Sequence, residues 1–175
     1  MTILVGIETS SGAIVGTDAF SGGEGWRDIQ DRPKYTQVGN FLVATAGHVR
    51  ACQIAEATRL KRKRGPKEDD LQYLLKAFVT PVMEAQDDAD VPVDDFCALI
   101  VFEGRVYALD EEGGLMRSAW GYSALGAGYD LALGSLASTE ELSPRERVER
   151  ALKAAKRHCN QCAGKSYITE VPREM

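Results

Sequence analysis

At 175 residues, with 44% apolar and 27% charged side chains, the chain is the size of one domain that buries its own core, and residues 1–175 are expected to form it. A formal charge of −5 speaks against general affinity for nucleic acid or an anionic membrane surface. Four cysteines in a chain long enough to need no staples, with no secretory segment before them, fit a reducing compartment, and a cytoplasmic location is expected.

The apolar opening from Met1 to Ile7 stops at Glu8, too short for a signal core or a membrane span, so it is read as part of the fold. Residues 3–7 are rich in β-branched side chains, Thr9-Ser10-Ser11-Gly12 carries turn chemistry, and Ala13 to Val15 resume an apolar run toward Asp18. This is a hairpin. Its runs are continuous where a half-exposed strand would alternate, which predicts a sheet covered on both faces. Gly22-Gly23-Glu24-Gly25 follows no phosphate-binding pattern and is expected as a flexible loop. A second pair of strands is predicted at 34–38 and 41–46, joined at Gly39-Asn40.

Helical patterning starts after Gly47 and is clearest where Leu71, Leu74, Leu75, Phe78 and Val82 recur at steps of three and four. The basic run Lys61, Arg62, Lys63, Arg64 is expected as a solvated helix end, and the acidic segment 87–95 as a loop. Strands at 96–102 and 105–109 flank Glu103-Gly104, and a helix is predicted over 129–137 after Gly126-Ala127-Gly128. Ser143-Pro144-Arg145-Glu146 places a cap, a first-turn proline and the third-position glutamate of a capping box, which opens a long helix. A last strand is expected through Tyr167, Ile168 and Val171. Strands, two helices, strands, two helices, strand is the order of an α+β protein with two stacked sheets between helix pairs, a four-layer α-β-β-α sandwich.

Cys159-Asn160-Gln161-Cys162 is a single C-x-x-C, and His48 and His158 stand in no finger spacing, so no metal or other cofactor is expected. The two thiols continue the spacing of Val148, Leu152 and Ala155, which places them on the buried face of the late helix, with a redox pair as the other reading. Two histidines and no G-x-S-x-G elbow argue against a serine triad. A base of another kind is available at the N-terminus. Removal of Met1 before the small Thr2 would free an α-amine of pKa about 7.7–8.0, so one residue would supply nucleophile and base. A turn centred near Ser10 pairs positions summing to about 20, which sets Thr2 opposite Asp18. Lys34, at the head of the next strand, would be the cation that favours the alkoxide and pairs with Asp18.

Met1-Thr2-Ile3-Leu4-Val5-Gly6-Ile7, Gly12 through Asp18, Lys34 and Ala46-Gly47 together resemble proteasome β subunits and the bacterial heat-shock locus V peptidase, which are N-terminal nucleophile hydrolases. Gly126 to Tyr129 and Ala154 through Gly164 extend the resemblance toward the C-terminus. It implies that Thr2 attacks the scissile carbonyl, Asp18 and Lys34 tune it, and the Gly47 N–H stabilises the oxyanion. It also implies that Phe20, Gly22 and Thr45 border a cleft that binds extended peptide as an added strand. The implied substrate is a peptide or unfolded protein, and the implied partners are copies of the chain in a homo-oligomeric ring and an unfolding ATPase. Phe20 stands where the family often has arginine, Ala127 replaces the turn serine, and Cys159 and Cys162 stand near an aspartate and a serine that help set the amine's protonation. Those replacements motivate a second reading, a catalytically silent proteasome-like assembly or regulatory protein, and a small-molecule amidase of the same superfamily is a third.

Overall fold

The computed structural model describes residues 2–23, 25–60, 62–91 and 95–173. Its first sheet has strand order β10-β1-β2-β11, built from β1 (Ile3–Thr9), β2 (Gly12–Thr17), β10 (Tyr122–Gly126) and β11 (Tyr167–Pro172). The second has order β5-β6-β7-β8-β9, from β5 (Tyr35–Val38), β6 (Phe41–Gly47), β7 (Phe96–Phe102), β8 (Arg105–Leu109) and β9 (Leu115–Met116). Neighbouring strands in both are antiparallel.

Alternation along β1 divides the core. Ile3, Val5 and Ile7 face α4 (Tyr129–Ala137) and α5 (Pro144–His158), meeting Ala132, Leu136, Val148 and Leu152. Leu4, one step round the pleat, faces the other sheet and packs with Val15, Ala44, Leu99 and Val101. Beyond the second sheet, Phe41, Val43, Ile100 and Phe102 meet α1 (Val49–Ala57), α2 (Asp70–Leu74), α3 (Thr80–Asp88) and the turn that joins the last two through Ala51, Leu74, Val82 and Phe78. The order is therefore helices, sheet, sheet, helices, the expected four layers.

Several local expectations are corrected. Gly22 and Gly23 lie on a strand, β3 (Phe20–Gly23), paired with β4 (Trp26–Ile29), so the glycine-rich stretch is mostly hairpin; Glu24 lies outside the described residues. The basic run is no helix end, since α1 stops at Ala57 and α2 starts at Asp70. Its arginines fold onto the acidic residues that follow them, Arg62 with Glu68 at 2.8 Å and Arg64 with Asp70 at 2.6 Å, while Lys61 lies outside the described residues. The segment read as a loop from 87 is helical through Asp88, and residues 92–94 lie outside the described residues. Between α2 and α3 the helix passes through a π turn, Leu75–Val79, and resumes at Thr80, just before Pro81, which has no N–H to give the preceding turn.

The first hairpin also differs by one residue from its expected register. Thr9 pairs with Gly12 across a two-residue turn, so partners sum to 21: Leu4 faces Thr17, and Ile3 rather than Thr2 comes level with Asp18. The turn has two central residues, Ser10 and Ser11, so its centre falls between them and not on Ser10.

Candidate active site

Asp18 and Thr2 both lie just outside the paired part of the hairpin, and this frees their side chains from the alternation that a one-residue offset would impose. The Thr2 hydroxyl donates to Asp18 Oδ1, which also accepts the Ile3 N–H at 3.3 Å. The other carboxylate oxygen, Oδ2, accepts the Ala163 N–H at 2.9 Å. Asp18 is fully buried, so each of these donors replaces water that the carboxylate has lost.

Lys34 comes from the bend before β5 and is fixed through its backbone: its N–H donates to Thr17 Oγ1 at 3.4 Å and its carbonyl accepts from Thr45 at 3.0 Å. Its ammonium has three protons and finds three acceptors, Thr2 Oγ1, the Phe20 carbonyl and, at 2.9 Å, Asp18 Oδ1. Burial holds the Lys34 pKa below the usual lysine value, and the facing Asp18 carboxylate works against that shift. The chemical result is a hydroxyl that donates to a carboxylate while accepting from an ammonium, with both ions shielded from water.

Thr2 is anchored from behind by β10. Its carbonyl accepts the Ala127 N–H at 2.8 Å, and a Cβ at Gly126 would lie 2.2 Å from that same oxygen, with φ at +91°. Glycine is needed there on both counts. Gly47 ends β6 with φ at +118°, and a Cβ on it would come within 2.0 Å of the Asp95 carbonyl.

The cleft beside Thr2 is lined by Phe20, Gly22, Lys34, Thr45 and Gly47, so the structure brings together every residue that the sequence nominated. Phe20 contributes its carbonyl to Lys34 and its ring to Arg27, 5.5 Å away. Thr45 is buried and its hydroxyl donates to Glu56 at 3.4 Å. Arg32 and Glu56, paired at 3.7 Å, also line this arm and were not foreseen. A second arm shares Thr2, Ala46 and Gly47 and is rimmed by Asp95, Asp110, Glu111 and Glu112. Thr2 thus stands at the junction of two arms. The Ala163 N–H was missed as well; a backbone donor 145 residues from Asp18 leaves no mark in a side-chain pattern.

Among the described residues, no group of three or more His, Cys, Asp or Glu side chains is placed to hold a metal ion, and no helix is long and apolar enough to cross a membrane.

The fold is the four-layer α-β-β-α sandwich of the N-terminal nucleophile hydrolase type, in the form that proteasome-like proteins have. The chain is similar to Thiobacillus denitrificans BPH in complex with epoxomicin, with a TM-score of 0.79 and 15% identity over 97% of this chain and 98% of that one. A further structure of Thiobacillus denitrificans BPH gives 0.73 and 15% identity, covering 97% and 98%. Eukaryotic HslV from Trypanosoma brucei gives 0.77 and 14% identity, covering 96% and 98%. The resemblance to proteasome-like and HslV proteins that the first fifty residues carry thus extends to the fold of nearly the whole chain. No family model matches the sequence, and no curated protein matches it.

Proposed function

We propose that the chain is an N-terminal threonine peptidase that hydrolyses peptide bonds. The observation that carries this is the Thr2 hydroxyl, held between the Lys34 ammonium and the Asp18 carboxylate at the junction of an open cleft. Removal of Met1, which lies outside the described residues, frees the Thr2 amine. The amine takes the hydroxyl proton, directly or through water, as Oγ1 attacks the scissile carbonyl. Lys34 favours the developing alkoxide, Asp18 keeps Lys34 charged, and the Gly47 N–H receives the oxyanion. The amine then protonates the departing peptide nitrogen, and water hydrolyses the ester left on Oγ1.

Among the described residues β3 is paired with β4 along one edge only, so the acyl half of an extended peptide adds as a strand against its other edge, beside Phe20 and Gly22. The leaving half runs toward the arm shared by Gly126 and Ala127. The likeness to a structure solved with epoxomicin supports the reading, because it concerns the fold that holds this site. On the same grounds we place the chain in a homo-oligomeric ring that encloses the cleft and receives unfolded protein from an ATPase, in the cytoplasm.

Intact mass before and after a peptide epoxyketone tests it. Loss of one methionine and gain of one adduct are expected; in Thr2→Ala the methionine is still removed before the small alanine, and the adduct is absent. An unprocessed chain that takes up no probe would instead favour a silent proteasome-like assembly or regulatory protein, a reading motivated by Ala127, Cys159 and Cys162.

A further inference from the structure

Helix α5 ends at His158, and Cys159 caps it by donating its N–H to Ala155 at 2.8 Å. The Cys162 N–H then donates to the Cys159 carbonyl at 3.2 Å, closing a turn. An i to i+3 turn brings its end Cα atoms within about 7 Å, and a disulfide spans about 4.4–6.8 Å between Cα atoms. Cys162 is buried in the core under α4 and α5, and Cys159, partly buried, packs against the same cluster. The helix therefore stops short of both thiols, and the turn beyond it brings their backbones within the span of a disulfide.

Their surroundings connect this turn to the site. Ala163, the next residue, gives its N–H to Asp18 and its carbonyl to the Ala19 N–H at 3.1 Å. On the other side, Cys162 Sγ packs so closely on Gly128 that a Cβ there would be 2.9 Å from the sulfur. Gly128 follows Ala127, whose N–H holds the Thr2 carbonyl. The thiol pair thus sits between the backbone bonds that fix Asp18 and Thr2.

We propose that Cys159 and Cys162 form a reversible intrachain disulfide, and that closing it pulls the Ala163 amide off Asp18 and so disables the site. A small-molecule disulfide is the oxidant. The Cys159 thiolate attacks it, forming a mixed disulfide and releasing one thiol. The Cys162 thiolate then attacks the Cys159 sulfur and releases the second. The protein gives up two electrons and two protons, and the oxidant's sulfur–sulfur bond becomes two thiols. Burial pushes the Cys162 thiol up, which slows the second step. Burial also pushes Cys52 up to about 11 and Cys97 up to about 12, which leaves those two almost without thiolate at neutral pH.

The effect on activity rests on the threonine reading; the disulfide and its grip on Ala163 do not. The experiment treats the full chain with oxidised glutathione, alkylates it in denaturant and maps the peptides. Expected are a chain lighter by two hydrogens with Cys159 and Cys162 protected, hydrogen exchange at the Ala163 amide faster by about tenfold or more, and epoxyketone labelling of Thr2 slowed by about tenfold. A reductant should reverse all three, and Cys159→Ser, or Cys162→Ala where the serine lowers stability, should show none. A chain without labelling even when reduced sinks the peptidase reading and leaves the disulfide and the exchange to decide this one. The proposal is overturned if excess oxidant leaves both thiols open to alkylation, or if the disulfide forms and Ala163 exchanges as before.

Discussion

At the scale of single residues, the energetic centre is the Lys34–Asp18 pair. Both groups are almost out of water, at 8% and 0% exposure, so neither is tolerable without the other. Lys34→Met should therefore cost about 3–5 kcal/mol, the range for leaving one charge of a buried pair behind. Asp18→Asn combined with Lys34→Met should recover much of that loss, because no charge remains to be buried. Urea unfolding of the wild type, both single variants and the double variant measures the cycle. A single-variant cost below about 1 kcal/mol would mean that water reaches Asp18 and that the pair is not the buried device described. These residues could be nominated from sequence because a threonine at position 2 can supply nucleophile and base together, while Asp18 and Lys34 stand at the ends of apolar runs. The mistaken register did not separate them, since both Thr2 and Asp18 leave the ladder before it could impose a face. The donors on Ala127 and Ala163 were illegible for the opposite reason. Any residue but proline has a backbone N–H, so nothing in the identity of an alanine marks it.

Elements were readable in proportion to their length and to the strength of their end signals. Helix α5 is the best case: Ser143 Oγ accepts the Glu146 N–H at 3.4 Å, and the Glu146 carboxylate accepts the Ser143 N–H at 3.2 Å. Ser143→Ala should lower stability by about 1 kcal/mol, the usual cost of losing such a cap, while Ser143→Gly should cost only a few tenths. Thermal unfolding of the two variants checks this, and equal losses would show that packing of Val148 and Leu152 starts the helix without help from the cap. Elements with weak signals went unseen. β3 contains Gly22 and Gly23, residues that disfavour strands in general and are needed here because Cβ atoms would meet the Phe20 ring at 2.7 Å and the Trp26 indole nitrogen at 2.7 Å. β9 is two residues long, too short for any periodicity, and the fully exposed pattern of β4 gives no buried face to detect. The late helix was read too long for a related reason. Cys159 and Cys162 do face the core, yet they do so from a turn, and three-residue spacing cannot tell a helix from a turn.

For the molecule as a whole, stacking two sheets between helices puts ionisable groups where water would otherwise solvate them, and this sets how stability responds to alkali. Burial pushes Cys52 up from 9.0 to about 11 and Cys97 up from 9.0 to about 12. It also raises Cys162, Tyr35 and Tyr107. In every one of these the folded chain keeps a proton that the unfolded chain releases. The unfolded state then binds fewer protons, so the stability they contribute is full below pH 9.0 and is lost as pH rises toward about 11 and about 12. Lys34 has the opposite sign: its lowered pKa makes the unfolded chain bind more protons, which favours folding as pH rises toward 10.5. One lysine is set against the two thiols and the groups that move with them, so the fall should win. The urea midpoint should hold steady as pH 9 is approached and drop steadily beyond it. Cys97→Ala should soften the slope, because that thiol lies between the sheets where no helix can move aside to admit water. A midpoint that stays level up to pH 11 would show that the thiols ionise alike in folded and unfolded chains. The layers would then be more open to water than their packing implies, and the shielding that the Thr2 site depends on would be lost with them.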